Sequence, residues 1–187
     1  AYALLTIYSV LVALPLVWMV LSSTKTTREL FTAPFALPAD PQWSNFTKAW
    51  QSGISHYLLN SLIVTSVSVV LIVLFSALAA YALARLNFPG RVPIFLLLIA
   101  GFAIPVHTVL VPLYRSLNVL GLLNTHAGLI APYVAFGIPF SVLLLYAFFL
   151  EFPPEIEDAA RIDGCNTLQM VFQVVMPLSM PALVSVT

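Results

Sequence analysis

Charge is scarce in this sequence, since only 7% of its 187 residues are charged. An average soluble domain carries about a quarter. Lys and Arg number seven, as do Asp and Glu, so no net field would attract a polyanion such as a nucleic acid. These proportions exclude an ordinary cytosolic globule, a disordered chain and a nucleic-acid binder.

Cysteine and the common catalytic patterns are also missing. The single Cys165 cannot form an intrachain disulfide, which excludes a disulfide scaffold. The phosphate-binding pattern Gly-x-x-x-x-Gly-Lys does not occur, and neither lysine follows a glycine. The three histidines are far apart and have no cysteine pairs beside them, so no metal-ligand spacing is present. We therefore predict no catalytic residue, no metal site and no cofactor on this chain.

Long apolar runs are what the sequence has instead, because 61% of its residues are hydrophobic. A helix needs roughly 20 residues to cross about 30 Å of hydrocarbon. We predict an all-α, polytopic transmembrane helical bundle, with a further apolar run from about residue 176. We expect that run to be a fifth span, within which the sequence is truncated. Four complete spans, without Asp, Glu, Lys or Arg, are predicted at residues 2–21, 57–83, 92–113 and 127–150.

The first apolar run is interpreted as a retained span. It lacks the positive region and the small-residue cleavage site of a secretory signal, and it is long for the apolar part of one. A polar connection, residues 22–56, follows it. There Trp43, Phe46 and Trp50 are expected either to anchor the chain at the membrane interface or to form a small packed loop core.

Two further patterns concern the spans themselves. Ser76, Ala80 and Ala84 recur every four residues, and such a stripe of small side chains lets another helix approach closely. The third predicted span is expected to be broken or kinked near Pro105 and Pro112.

The segment 151–175 differs from everything before it, since residues 151–164 hold five of the seven acidic residues. An Asp or Arg at the bilayer centre costs at least about 2.5–3.5 kcal/mol, so this segment lies outside the hydrocarbon. Pro154 suits the first position of a helix, and Gly164 suits the left-handed conformation that ends one. Glu157 and Arg161 are spaced as a favourable i, i+4 ion pair.

A second short helix is predicted to begin with Asn166 or Thr167 as its cap and to run until Pro177. In the first helix, Ile156, Ala159 and Ala160 form a small apolar face flanked by acidic residues. Chemistry alone leaves two interpretations open: a surface that docks on a partner protein, or an interfacial helix that lies on the membrane.

A spaced motif runs through these two helices. It consists of Asp158-Ala159-Ala160, three residues, Gly164, nine residues, and then Val174-Val175-Met176-Pro177. The motif resembles the EAA loop of ABC-importer permease subunits, in which Glu-Ala-Ala, Gly and Ile-x-Leu-Pro stand at these spacings. The chain departs from that pattern with Asp158 for Glu, Val174 for Ile and Met176 for Leu. Glu157, one residue earlier, could supply the longer acid.

Other strings resemble the carbohydrate-uptake, maltose-type branch of these permeases. Residues 159–164 followed by Pro177-Leu178-Ser179 carry this likeness. Weaker support comes from the strings at 60–65, 81–85 with 88–90, and 121–125. The likeness covers nearly the whole chain and implies the fold of a type I ABC importer.

The resemblance implies a function for the 151–175 loop as a coupling helix seated on a cytoplasmic ATPase. Ala159 and Ala160 would allow close approach, Gly164 would make the turn, and Glu157 or Asp158 would pair with a basic ATPase residue. The implied partners are a second homologous permease subunit, two ATP-binding-cassette subunits that bind the ATP, an extracytoplasmic sugar-binding protein and the lipid bilayer. The implied coupling residues are Glu157, Asp158, Ala159, Ala160, Arg161, Asp163 and Gly164.

The orientation in the membrane follows from the same resemblance. Four crossings place the amino end and the 151–175 loop on one side, but the Lys and Arg counts of the two sides do not decide which side is inside. A coupling loop must be cytoplasmic, so the amino end is expected there too, in a multi-pass protein of a bacterial-type inner membrane.

Two other classes of function remain as alternatives. An ion-coupled carrier or a channel without an ATPase would have no need of a docking helix, and an intramembrane enzyme would need acidic residues or metal ligands inside the spans. His107 is the one ionisable side chain of the third predicted span. On a straight helix it would lie about 24 Å from Arg91, where it either rests at the outer interface or contacts substrate.

Overall fold

The computed structural model describes residues 2–187, and every regular element among them is helical. The chain divides within its fourth helix into two compact units. The first extends to Leu59, and the second comprises Asn60–Thr187.

The first unit begins with a long apolar helix, α1 (Tyr2–Ser23), which includes Pro15. No residue of α1 is buried in this chain. Helices α2 (Thr27–Thr32) and α3 (Ser44–Ala49) lie in the polar connection that follows. An apolar helix with no buried residue must be covered by lipid or protein, which agrees with a membrane location.

The polar connection has its own hydrogen-bonded structure. Lys25 is buried, and its Nζ donates to the carbonyl oxygens of Ala33 at 3.2 Å and Pro34 at 2.8 Å. Trp43, Phe46 and Trp50 are all exposed, so they do not form the packed loop core that the sequence left open. The arrangement agrees better with aromatic side chains at an interface.

Helix α2 begins with a capping box. Glu29 Oε2 accepts from the Thr26 amide at 3.0 Å and from its hydroxyl at 2.9 Å, while Oε1 accepts from the Ala39 amide at 3.2 Å. The Thr26 hydroxyl accepts in return from the Glu29 amide. These bonds favour the charged carboxylate and hold the pKa of Glu29 below its usual range, with the Thr26 amide as the largest cause.

Helix α4 (Ser55–Arg85) follows a wider π-type turn, Trp50–Ile54, in which Gly53 has a φ of 101°. Within the second unit its small-residue stripe is buried, with Ser76 and Ala80 fully covered. The stripe is therefore covered by the rest of the chain, whereas close approach of another helix at it stays a prediction. Gly137 of α7 (His126–Glu151) lies against Ile72 of α4 so tightly that a Cβ there would be 2.5 Å from its Cδ1.

The third predicted span is two helices, α5 (Arg91–Phe102) and α6 (Val106–Val119), bent by 97° at the break between them. The predicted break at Pro105 is therefore confirmed, because proline lacks an amide hydrogen and disfavours helix at the residue before it. Helix α6 instead continues through Pro112 to Val119, so no interruption occurs there. His107 lies just after the break, so its predicted distance along a straight helix was wrong.

Helix α7 is capped by Thr125, whose hydroxyl accepts from the Gly128 amide at 3.1 Å. Near its other end Val142, Leu145 and Phe149 are buried in the core of the second unit. The chain then continues through four shorter helices and one π-type segment. These are α8 (Pro154–Ile162), α9 (Thr167–Gln169), the π-type segment Met170–Val175, α10 (Met176–Leu178) and α11 (Met180–Ser185).

By length and composition, three helices of the described chain could cross a membrane: α1, α4 together with α3 and the π-type turn between them, and α7. The bent pair α5 and α6 is a fourth if it forms one broken span; otherwise it is a re-entrant loop. The four complete spans that the sequence predicts therefore stay a prediction. The span boundaries and their placement in the bilayer remain predictions.

Candidate functional site

Helix α8 has both of the ends that the sequence predicts. Pro154 is at its first position, with Glu155 and Glu157 in its first turn. At the other end the Cys165 amide donates to the Ala160 carbonyl at 3.0 Å. The Gly164 amide donates to the Arg161 carbonyl at 3.1 Å, which completes a Schellman motif.

Gly164 has a φ of 87°, the left-handed backbone that this motif requires. A Cβ added to Gly164 would meet no atom within 4 Å. The requirement for glycine here is therefore one of backbone conformation and not of space.

The second helix of the segment starts as predicted but does not stop as predicted. Asn166 caps α9 and forms a capping box with Gln169, with bonds of 2.9 and 3.0 Å. The helical path then continues as the π-type segment and runs past Pro177 to Leu178. The predicted end at Pro177 is wrong, because this proline lies in the first turn of α10, where an amide donor is not needed.

The two sides of α8 have different surroundings. Ala160 is buried and Ile156 packs against the core of the second unit, whereas Ala159 is exposed. The predicted small apolar face of Ile156, Ala159 and Ala160 is therefore not one open surface. Tertiary packing turns two of its three members toward the chain's own core.

The open side of α8 is formed by residues one helical turn apart. Asp158, Ala159 and Ile162 are exposed, and Ile162 retains 87% of its accessible surface. Leu168 of α9 is also exposed. Glu155, one turn before Asp158, is exposed on the same face, so the surface combines two acidic groups, one small residue and two protruding apolar side chains, a combination that is suited to a cleft in another protein.

Glu157 lies on the buried side, with only 4% of its surface exposed. Its Oε1 is 3.0 Å from Nε of Arg85, the last residue of α4, in an ion pair without the alignment of a hydrogen bond. The Tyr81 hydroxyl donates to its Oε2 at 3.3 Å. The other end of the Arg85 guanidinium donates through Nη2 to the carbonyl of Phe152, at the corner between α7 and α8.

Arg161 bridges the two acidic residues of α8 from the solvent side. Its Nη1 donates to Asp158 Oδ1 at 3.0 Å, and its Nη2 is 3.6 Å from Glu157 Oε2. The predicted Glu157–Arg161 pair is therefore present, but it is longer than the Asp158–Arg161 pair. Both partners of the shorter pair are more than half exposed, so it contributes little to stability.

The structure thus separates the seven residues that the sequence predicts for coupling. The two buried members are held against α4 and the core, and the exposed members are free to meet a second protein. Glu157 and Ala160 are buried, whereas Asp158, Ala159, Arg161, Asp163 and Gly164 are exposed.

Sequence reasoning did not assign a role to Tyr81 or Arg85. A signal for both was present, since Arg85 is the first charged residue after a long apolar run and Tyr81 precedes it by one helical turn. Tyr81 is also buried, so its side of α4 meets the rest of the chain.

Comparison with known proteins finds relatives along the whole chain. Residues 72–187 match the family described as "Binding-protein-dependent transport system inner membrane component". The chain is 42% identical over 187 residues to the diacetylchitobiose uptake system permease protein NgcG of Streptomyces coelicolor, which is 100% of this chain and 62% of that protein. It is 35% identical over 166 residues to the melibiose/raffinose/stachyose import permease protein MelC of Bacillus subtilis, which is 88% of this chain and 60% of MelC.

A third relative is the trehalose/maltose transport system permease protein MalG of Thermococcus litoralis. It is 32% identical over 191 residues, which cover 97% of this chain and 68% of MalG. Among solved structures, the chain resembles a bacterial ABC transporter involved in the import of the acidic polysaccharide alginate. The match has a TM-score of 0.81 at 24% identity and covers 99% of this chain and 65% of the other, so the two share a fold.

Proposed function

Because this chain belongs to the family of inner membrane components of binding-protein-dependent transport systems, we propose that it is a permease subunit of an ATP-driven carbohydrate importer. The observation that carries this proposal is the common cargo in the names of its relatives. NgcG, MelC and MalG are named for the transport of small carbohydrates, at 32–42% identity over most of this chain. The chain spans 62% of NgcG and 60% of MelC, so it comprises a large part of such a permease.

The proposed importer contains four kinds of partner. A second, homologous permease completes the translocation path, two ATP-binding-cassette subunits hydrolyse ATP, and an extracytoplasmic binding protein delivers the carbohydrate. The chain described here is the non-catalytic member. This assignment is supported by its apolar helices and by the absence of a Gly-x-x-x-x-Gly-Lys phosphate loop from its sequence.

The open side of α8 is the proposed contact with the ATPase. Ile162 and Leu168 protrude into solvent although they are apolar, which favours cover by a partner protein. Asp158 and Glu155 are the exposed acidic residues on this side, and the Asp158–Arg161 pair is open to solvent, so Asp158 is the candidate partner for a basic ATPase side chain. Glu157 is already paired inside the chain, which argues against the same role for it.

This contact fixes the proposed orientation. The ATPase is cytoplasmic, so α8 and the amino end of α1 face the cytoplasm of a bacterial-type cell and the chain is a multi-pass inner-membrane protein. The ends of α4 and α7 that carry Arg85 and Phe152 lie on the same side as α8, since Arg85 contacts both of the other elements.

The alternative is an ion-coupled carrier or channel that needs no ATPase. Carriers of this kind use ionisable groups inside the membrane. The predicted spans contain no Asp, Glu, Lys or Arg, and the acidic residues are concentrated at α8 and the segments beside it. This distribution favours the importer.

Cysteine crosslinking from the two sides of α8 tests the ATPase contact. In a Cys165→Ser background, the complete chain would carry either Ala159→Cys, on the open side, or Ala160→Cys, on the buried side. After treatment of native membranes with a short thiol-directed crosslinker, we expect an ATP-binding-cassette subunit to be captured from position 159 and not from position 160. A thiol at position 159 that reacts with maleimide but never captures such a subunit would contradict the proposal.

A further inference from the structure

A buried charged cluster joins three elements of the second unit at one point. It consists of Tyr81 and Arg85 at the end of α4, Glu157 of α8, and the carbonyl of Phe152 at the end of α7. We call these four residues the α4–α8 clamp. The Glu157 carboxylate is 5% exposed and the Arg85 side chain 17%, so both charges are largely removed from water.

Charges buried in this way constrain a structure more than they stabilise it. An ion pair removed from water gives little net stability, because desolvation offsets the attraction. Removal of one partner alone is strongly unfavourable, because the other charge is left buried without compensation. The pair therefore makes separation of α8 from the end of α4 costly, whereas the small apolar side chains of Ile156 and Ala160 could slide.

The clamp residues also lie between the proposed ATPase contact on α8 and helix α4. On the proposed function, the ATPase contacts the open side of α8, formed by Asp158, Ala159 and Ile162. Glu157 lies on the opposite side of the same two turns and points to α4, the helix that contains the longest predicted span. A push on one side of α8 therefore reaches α4 through Glu157 and Arg85.

We propose that Arg85 and Glu157 are positioning residues that transmit the movement of α8 to α4 during ATP-driven transport, with Tyr81 orienting the carboxylate. The proposal rests on the proposed function and adds a second class of coupling residue to it. Exposed residues of α8 hold the ATPase, and buried residues hold α8 to the spans. Glu157 accordingly makes no contact with the ATPase.

A charge-exchange series tests the clamp in the purified, complete transporter. The variants are Glu157→Arg, Arg85→Glu and the double exchange, and the measurement is the number of carbohydrate molecules imported per ATP hydrolysed. This ratio does not depend on protein yield, so loss of stability alone would not change it. Each single variant is expected to lower the ratio about tenfold, within the usual range of coupling between sites, while the double exchange restores part of it, since the new arginine at 157 would also face Arg161.

One milder variant and one control variant keep the test valid if the charge-exchange variants fail to fold. Glu157→Gln keeps the shape of the side chain and an acceptor for the Tyr81 hydroxyl, but it removes the charge, so the ratio should still fall. Arg91→Gln is the matched control, because Arg91 donates to the Ala84 carbonyl at 3.3 Å, near the same end of α4, without a contact to α8 in the described chain. It should leave the ratio unchanged.

The outcomes distinguish a failure of the clamp proposal from a failure of the proposed function. If the wild-type complex couples ATP hydrolysis to import and Glu157→Gln keeps the full ratio, the clamp is refuted and the importer stands. A double exchange that is no better than either single variant would also refute it. If the wild-type chain captures no ATPase and imports nothing with ATP, the proposed function itself fails.

Discussion

Replacement of Gly164 by valine should uncouple transport, and the structure gives the size of the perturbation. Gly164 has a φ of 87°, and a Cβ there would meet no atom within 4 Å. The whole effect must therefore come from the backbone, since left-handed geometry costs an L residue roughly 1–2 kcal/mol. A free energy of this size changes the ratio of the native turn to its alternatives by a factor of about 5–30.

The assay is ATP-dependent import by the complete transporter, normalised to the amount of the chain in the membrane. Gly164→Val is expected to lower import by about 5–30-fold, in line with the change in the ratio of the native turn to its alternatives. Gly164→Asn should remain close to wild type, because asparagine adopts the left-handed conformation far more readily than valine.

The chain offers a matched control for backbone strain at Gly121. Its φ is 68°, and a Cβ there also meets nothing within 4 Å, but it lies in the connection between α6 and α7 and not in the coupling segment. Gly121→Val should therefore import normally. The reasoning would be refuted by normal import in Gly164→Val, or by an equal loss in Gly121→Val.

Two further predictions concern the packing and the polar connection. Gly128→Ala should destabilise the purified protein by at least about 1–3 kcal/mol, because its Cβ would lie 2.2 Å from the Leu122 carbonyl oxygen, whereas Gly101→Ala, with 3.5 Å to its nearest neighbour, should have little effect on Tm. Equal Tm values for the two variants would contradict this packing. The lowered pKa of Glu29 means that the α2 cap is fully formed above the usual carboxyl pKa and is lost as the pH falls through the lowered value. The protection factor of the Ala39 amide against hydrogen exchange, corrected for the intrinsic pH dependence, should fall over that acidic range in the wild type, and Glu29→Gln should abolish this dependence; a wild type without it would contradict the cap.

Local signals made both ends of α8 and the start of α9 predictable from the sequence. Proline at a first helical position, glycine in the left-handed conformation and asparagine at a cap act within one helical turn. Pro154, Gly164 and Asn166 therefore have the conformations that their residue types favour. The break at Pro105 was predictable for the same reason.

Contacts between distant parts of the chain were not predictable in this way. Arg85 and Glu157 are 72 residues apart, and no local pattern states which acid of α8 meets the end of α4. The orientation of α8 depends on the same tertiary contact, so the sequence could not distinguish the buried Ala160 from the exposed Ala159. Pro112 also escaped local reasoning, since a helix can continue through proline when surrounding groups satisfy the freed carbonyl.

An importer of which this chain is a part would move carbohydrate across the membrane at the expense of ATP. The most direct test reconstitutes the complete transporter in proteoliposomes, with ATP on the side of the ATPase subunits and a labelled oligosaccharide with its binding protein on the other. We expect uptake that requires both ATP and the binding protein and does not respond to an imposed proton or sodium gradient. Uptake driven by such a gradient without ATP would contradict it and identify an ion-coupled carrier.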